Sequence, residues 1–424
     1  MCGKRKRADD YAGSHGIGAL CLGMLLAATI ETSLRAQPAD APPALRAADV
    51  LPAGLLRGES YTVAETVRND GLINTYQVTT SDGVLRIEST ALLQKRLHEL
   101  RVVESLGRLK KSDVYLAALK KSAAAPLDTA KGLVTDPVET TEGVVTGVGR
   151  WFRGLGSTVK STDPHKDNVL ESATGHSRAK REFAHEFGVD PYSPFPPLQK
   201  ALDDVAWAAA GGSLTLAGAV SAIPGAAGML VATTKTASDM KAIVRDMSPA
   251  ELTRLNAEKL AAMGVPDEIA QLFLHNPTYG PEEQTILVGE LESMRGVSDR
   301  HLFVAKAASA VDEPTAIFNR TQVQMMAGYH ARVGRVSRCI DAAGVILLEK
   351  ADGGVVGLFP LDHVVWTAGL RQKEQAVSTA LKIRMEDKPK EFWITGTMDA
   401  SAQQGLTAAG WKVDSRAGER LLPL

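Results

Sequence analysis

Four potential cations stand within nine residues: His330, Arg332, Arg335 and Arg338. At a spacing of three, the arginines share one side of a helix and could grip a phosphate or lipid headgroup, whereas on a strand they would split between faces. A second anion-binding pattern is Thr395-Gly396-Thr397-Met398-Asp399, which follows a β-like run and precedes a helical one. That turn would stand at the carboxyl end of a strand and the amino end of a helix, where unpaired backbone N–H groups attract anions. The expected ligand-binding residues are therefore Thr395, Gly396, Thr397, Asp399, Arg332, Arg335 and Arg338. Each group also has a structural reading. The arginines can form a solvated basic face at a domain junction, and the turn can be an ordinary βα connection with Asp399 capping its helix.

Other motifs fall short of their chemistry. Gly175-His176-Ser177-Arg178-Ala179 approaches a nucleophile elbow but ends in Ala and follows no apolar strand, so Ser177 is expected to cap a helix. His185-Glu186 lacks the second His, four residues after the first, that a zinc-binding helix face needs. Asp163, His165 and Asp167 alternate as metal ligands can, yet they sit in polar linker beside Lys166, and no metal site is expected. Gly149 and Gly154 have phosphate-loop spacing, with Leu155 where the Lys belongs. No catalytic residue and no cofactor is expected. A formal charge of −1 gives no global field for nucleic acid, which is not expected as a partner.

The amino terminus predicts export. Lys4, Arg5, Lys6 and Arg7 precede a 14-residue apolar run, 17–30, and Ala36 offers a small residue before a cut at Gln37. An uncleaved anchor is the alternative, although the run is shorter than the roughly 20 residues that span a bilayer. Of the three cysteines, cleavage would leave Cys339 alone, so no internal disulfide is expected in the periplasmic or extracellular space.

These residues must be positioned by elements that the pattern divides into six segments. Residues 1–36 are the signal and 37–58 an Ala/Pro-rich flexible spacer. Residues 59–125 predict a β-meander plus helix: Asp70-Gly71 and Asp82-Gly83 make hairpin turns, and Leu92, Leu93, Leu97, Leu100, Val103 and Leu106 line one helical face up to a break near Gly107. Residues 126–204 read as a Gly/Pro-rich linker region with one short helix. Residues 205–332 comprise a charge-free block and then a helical array, with starts at Ser248-Pro249, Pro266-Asp267, Pro281-Glu282-Glu283, Ser298-Asp299 and Asp312-Glu313-Pro314. Residues 333–424 predict a mixed α/β module with a hairpin at Asp352-Gly353 and a parallel β-turn-α-turn-β unit over 391–413. The fold class is α+β, multi-domain and mostly helical.

The charge-free block, 205–234, is long enough to span a membrane, but 15 of its 30 residues are Gly or Ala and Pro224-Gly225 interrupts it. It is read as close-packed core, with membrane insertion as the alternative. Trp151 and Phe152, flanked by Arg150 and Arg153, are the candidate membrane-contact residues, or aromatics packed on a neighbouring domain. The function expected from all this is an exported, non-enzymatic interaction or scaffold protein of a Gram-negative envelope, with a protein partner there and peripheral contact with the lipid bilayer. The alternatives are an extracytoplasmic enzyme or small-anion binder using the C-terminal module, and a pore-forming, toxin-like protein inserting residues 205–234.

Overall fold

The computed structural model describes residues 44–117, 175–210, 214–221, 234–385 and 388–422. The fold is mixed α+β and mostly helical. The predicted signal, Trp151, Phe152 and the Asp163–Asp167 stretch lie outside the described residues.

The first sheet is larger than a three-stranded meander. Residues expected as spacer form β1 (Ala44–Arg46) and two single-turn helices, α1 (Ala47–Val50) and α2 (Ala53–Leu56). Then follow β2 (Tyr61–Val63), β3 (Thr66–Asn69), β4 (Asn74–Thr80) and β5 (Gly83–Glu88). Strand β4 pairs with β2 and β3 along one edge and with β5 along the other, and β1 joins β3. The spacer reading fails because Ala47 and Leu51 are buried in the first core, which holds their chain down. Gly71 and Gly83 have φ of 104° and 131°, as the Asp-Gly turns require.

Helix α3 (Thr90–Lys110) runs unbroken through Gly107. A mid-helix Gly costs about 1 kcal/mol relative to Ala, which complete burial of neighbouring Leu106 and Leu109 offsets. Residues 175–204, expected within a linker, are also core: α4 (His176–Glu186) and α5 (Pro196–Ala210) bury Phe183, Phe187, Leu198 and Leu202 against α3. Ser177 does not cap α4; Gly175 takes the cap position at φ 77° and Ser177 lies buried one residue inside the helix.

Of the charge-free block, the described parts are the end of α5, the short α6 (Leu216–Ser221) with Leu214 before it, and Thr234. Val205, Ala206, Leu214 and Ala219 are buried, while Trp207 is 46% exposed. Among the described residues no helix is long and apolar enough to cross a membrane.

The array follows the predicted starts. After α7 (Lys235–Asp246) come α8 (Pro249–Ala262), α9 (Asp267–Leu274), α10 (Pro281–Ser293), α11 (His301–Ala308) and α12 (Glu313–Arg332). Ser248 and Glu251 form a capping box, and Asp312 caps α12. The fourth helix begins two residues later than Asp299.

The C-terminal sheet contains β6 (Val336–Ala342), β7 (Val345–Lys350), β8 (Val355–Phe359), β10 (Lys390–Ile394) and β12 (Trp411–Asp414) in the order β12-β10-β8-β7-β6. The first three are antiparallel, whereas β8, β10 and β12 are parallel. Between them run β9 (His363–Val364), α13 (Ala368–Met385), β11 (Thr397–Met398), α14 (Ala400–Ala408) and, last, α15 (Gly418–Leu421). The expected β-turn-α-turn-β unit is β10, α14 and β12, with one extra parallel bridge pair, β9 and β11.

Helix α12 is shared by three apolar cores. Ile317 belongs to the core of the first sheet and α3, Met325 and Tyr329 to that of the array and β6–β8, and Phe318 packs on the core under α13 and α14.

Candidate functional site

The cations read from sequence are dispersed. Arg332 donates to the backbone oxygens of Arg420 and Leu421, Arg335 donates to His330 Nε2 at 2.9 Å, and Arg338 pairs with Glu349. The helix ends at Arg332, so the three residues lie on different elements and serve different partners.

The turn after β10 is likewise occupied by the chain itself. Thr395 Oγ1 and Gly396 N donate to Leu361 O at 3.0 and 2.8 Å, Thr397 N donates to Asp362 O at 3.0 Å, and Thr397 Oγ1 shares a hydrogen bond with His363 Nδ1. Asp399 caps α14, accepting from Ala402 N at 2.6 Å. The N–H groups expected to meet an anion thus brace residues 361–363. That loop in turn aims the Asp362 carboxylate at the amino end of α3, where it accepts from Thr90 N at 3.1 Å and Asn74 N at 2.9 Å. An anion does sit at a helix amino terminus, but it is a side chain of this protein at a different helix.

The chemistry instead gathers where α3, α7, α10 and α12 meet. Lys95 of α3 reaches Glu283 at 3.0 Å and Glu313 at 3.5 Å. Arg96 pairs with Glu99 one turn on and with Glu313 at 2.7 Å, and its guanidinium lies 4.4 Å over the Phe195 ring. Ser193 donates to the other Glu99 oxygen at 2.6 Å. Arg320 of α12 meets Glu283 at 3.3 Å. Lys241 of α7 lies 3.9 Å from Glu282 and donates to Gly188 O at 3.3 Å. Asp190 contributes its field to both Lys95 and Glu282.

Four cations, Lys95, Arg96, Lys241 and Arg320, therefore face five carboxylates, Glu99, Asp190, Glu282, Glu283 and Glu313. Glu282 and Glu283 open α10 but are only 3% and 4% exposed. Burial pushes both acids up; for Glu283 the adjacent Arg320 and Lys95 outweigh it and hold the acid down at about 2. For Glu282 burial wins, helped by the charge of Asp190, and its acid is pushed up to about 8 against the pull of Lys241. Burial also raises Glu99 and takes Glu290, further along α10, to about 7. Lys95, which burial alone would pull down, is held above its ordinary value by Glu283 and the other carboxylates. His98 Nε2 donates to Phe187 O at 2.9 Å, and burial lowers the ring to about 4, so it is neutral near pH 7.

Beside this network lies a cavity of about 120 Å³ lined by Lys95, His98, Glu99, Asp190, Thr234, Lys241, Glu282, Arg320 and Gln324, among others. It has room for several waters or one small polar molecule. Among its lining carboxylates, Glu282 accepts no hydrogen bond from the described residues. Among the described residues no group of three or more His, Cys, Asp or Glu could hold a metal ion.

The sequence reading missed this site. Glu282 and Glu283 pass for ordinary first-turn carboxylates that favour the helix dipole from solvent. One signal was present. Glu99 falls seven residues after Leu92, four before Val103 and seven before Leu106, so a carboxylate interrupts the apolar stripe of α3 and must be buried with it.

The chain matches no family model, no curated protein and no solved structure.

Proposed function

We propose that this is an exported, non-enzymatic binding protein whose site for a small polar solute is the cavity between α3, α7, α10 and α12. The observation that carries the reading is the cavity wall itself, in which donors and acceptors of both signs are held in place by mutual ion pairs. A preorganised wall costs little reordering on binding. Burying so many charges gains little stability over apolar packing, since desolvation costs several kcal/mol per ion, so a ligand is a better reason for the cluster than stability. At the cavity His98 is held neutral with one nitrogen on a carbonyl, and Cys339 is buried elsewhere, its thiol pushed up to about 12. Export rests on the amino-terminal sequence alone.

Thermal melts of the protein with a panel of small amines, amino acids, carboxylates, polyols and phosphate test this. One class should raise the melting temperature by a few degrees at saturating concentration, equivalent to about 2–3 kcal/mol at 100 times Kd. The shift should vanish in Lys241→Met. A panel without a single shift overturns the assignment of this cavity.

A further inference from the structure

We infer that the cavity takes a small α-amino acid as its zwitterion, with the ammonium group on Glu282 and the carboxylate on Lys241. The inference rests on the cavity being the binding site and names the class of solute that this site accepts. It starts from two opposite charges that stand on the cavity wall without touching. Lys241 Nζ of α7 and Glu282 Oε1 of α10 are 3.9 Å apart, an ion pair too long to be a hydrogen bond. Glu282 is only 3% exposed, and among the described residues no group donates to its carboxylate. Lys241 gives one N–H to Gly188 O at 3.3 Å, and its other N–H groups meet no acceptor at hydrogen-bond distance among the described residues. A buried carboxyl group without a hydrogen-bond partner is costly, and the cavity that Glu282 lines is where such a partner can enter.

The two side chains together select the solute. A lone cation that satisfied Glu282 would stand beside the Lys241 ammonium, and a lone anion that satisfied Lys241 would stand beside the Glu282 carboxylate. A solute with both signs meets each group with its opposite, its dipole lying antiparallel to the Lys241–Glu282 pair. Ordinary bond lengths and angles put the amine nitrogen of an α-amino acid about 2.5 Å from its carboxylate carbon and about 3 Å from the oxygens. That separation is close to the 3.9 Å of the pair, so both charged groups reach hydrogen-bond distance together. Size agrees: at about 30 Å³ for each water-sized group, a cavity of about 120 Å³ holds about four or five non-hydrogen atoms, the size of glycine. The other cations on the wall, Lys95 and Arg320, already reach Glu283 at 3.0 and 3.3 Å. Lys241 is therefore the wall cation, among the described residues, without a hydrogen-bonded carboxylate.

Titration calorimetry of the full chain with glycine tests the assignment. It is run at pH about 8, the value to which burial pushes the Glu282 acid, so that the carboxylate is accessible while the glycine amine keeps its proton. Methylammonium and acetate, which each carry one half of glycine, should bind at least about tenfold more weakly, as should uncharged glycerol and the longer γ-aminobutyrate. Glu282→Gln should fold and bind glycine no more tightly than the wild type binds acetate, since only the carboxylate contact remains. Lys241→Met should bind glycine no more tightly than the wild type binds methylammonium. Glycine that fails to bind, or that binds no more tightly than any of these other solutes, overturns the inference, as does full glycine affinity in either variant. If another solute of the panel raises the melting temperature in that event, the cavity remains a binding site for a different class. If none does, both readings fall.

Discussion

Glu282 and Glu283 are neighbours on one helix with nearly equal burial, yet their acids are driven in opposite directions. Two cations within 3.3 Å make the difference for Glu283. Such splitting marks residues with different work to do. Glu283→Gln should destabilise the fold by about 3–5 kcal/mol in urea at pH 7, because it leaves Lys95 and Arg320 buried against a neutral amide. Glu282→Gln should match the wild type near pH 4.5 and become the more stable of the two as pH rises, since the amide replaces an acid that the fold keeps protonated and the unfolded chain ionises. The pH dependence follows in sign. The folded value of Glu282, about 8, lies above the ordinary 4.5, so its contribution is present below 4.5 and is lost as pH rises through 8. Glu283 behaves oppositely: its contribution is present above 4.5 and is lost as pH falls toward 2. Between pH 4.5 and about 8, the limits set by Glu282, the wild type should lose up to about 1.4 kcal/mol per pH unit relative to Glu282→Gln.

Helix α3 carries three of the network's ionisable residues, Lys95, Arg96 and Glu99, and its placement depends on a loop far away in sequence. Asp362 satisfies the Thr90 N–H at the amino end of α3, while Ser89 accepts from Leu92 N at 3.1 Å. The loop is itself pressed against Gly396, where an added Cβ would lie 1.8 Å from the Asp362 carbonyl oxygen. Asp362→Ala should therefore cost about 1–2 kcal/mol and speed hydrogen exchange at Thr90 and Asn74 before that of the remaining α3 amides. Gly396→Ala should displace the same loop and reproduce that exchange pattern at a cost of about 1–3 kcal/mol. Unchanged protection at Thr90 in both variants would mean that the loop does not hold the helix. What the sequence offered as an anion site is, at the scale of elements, the brace behind this contact.

Across the whole molecule, α12 ties three cores together: the first sheet with α3, the array with β6–β8, and the C-terminal layer under α13 and α14. Variants that keep a single tryptophan, either Trp207 on α5 or Trp393 on β10, should consequently unfold in urea at one common midpoint. Midpoints separated by more than about 0.5 M, on slopes of about 1–3 kcal/mol/M, would show that the cores melt independently. The candidate cavity lies where α12 meets α3, α7 and α10, so anything that loosens α12 should weaken solute binding as well.

Local chemistry in the sequence determined much of the fold. The Asp-Gly turns, the α8 capping box, the Pro-acid starts of the array and the parallel C-terminal unit all depend on residues within a few positions of each other, and all appear in the structure. The segments 44–58 and 175–204 were illegible because Pro, Ala and Gly composition reports weak local preference, whereas their burial comes from distant partners. The same reason hid the site. Whether a Glu in a first turn faces water or Lys95 from 188 residues away is not a property of its neighbours in the chain. The sequence by itself set which residues could carry charge and where helices could begin. Tertiary packing alone decided which charges were taken out of water, because the cost of desolvating an ion and the partner that offsets it belong to different parts of the chain.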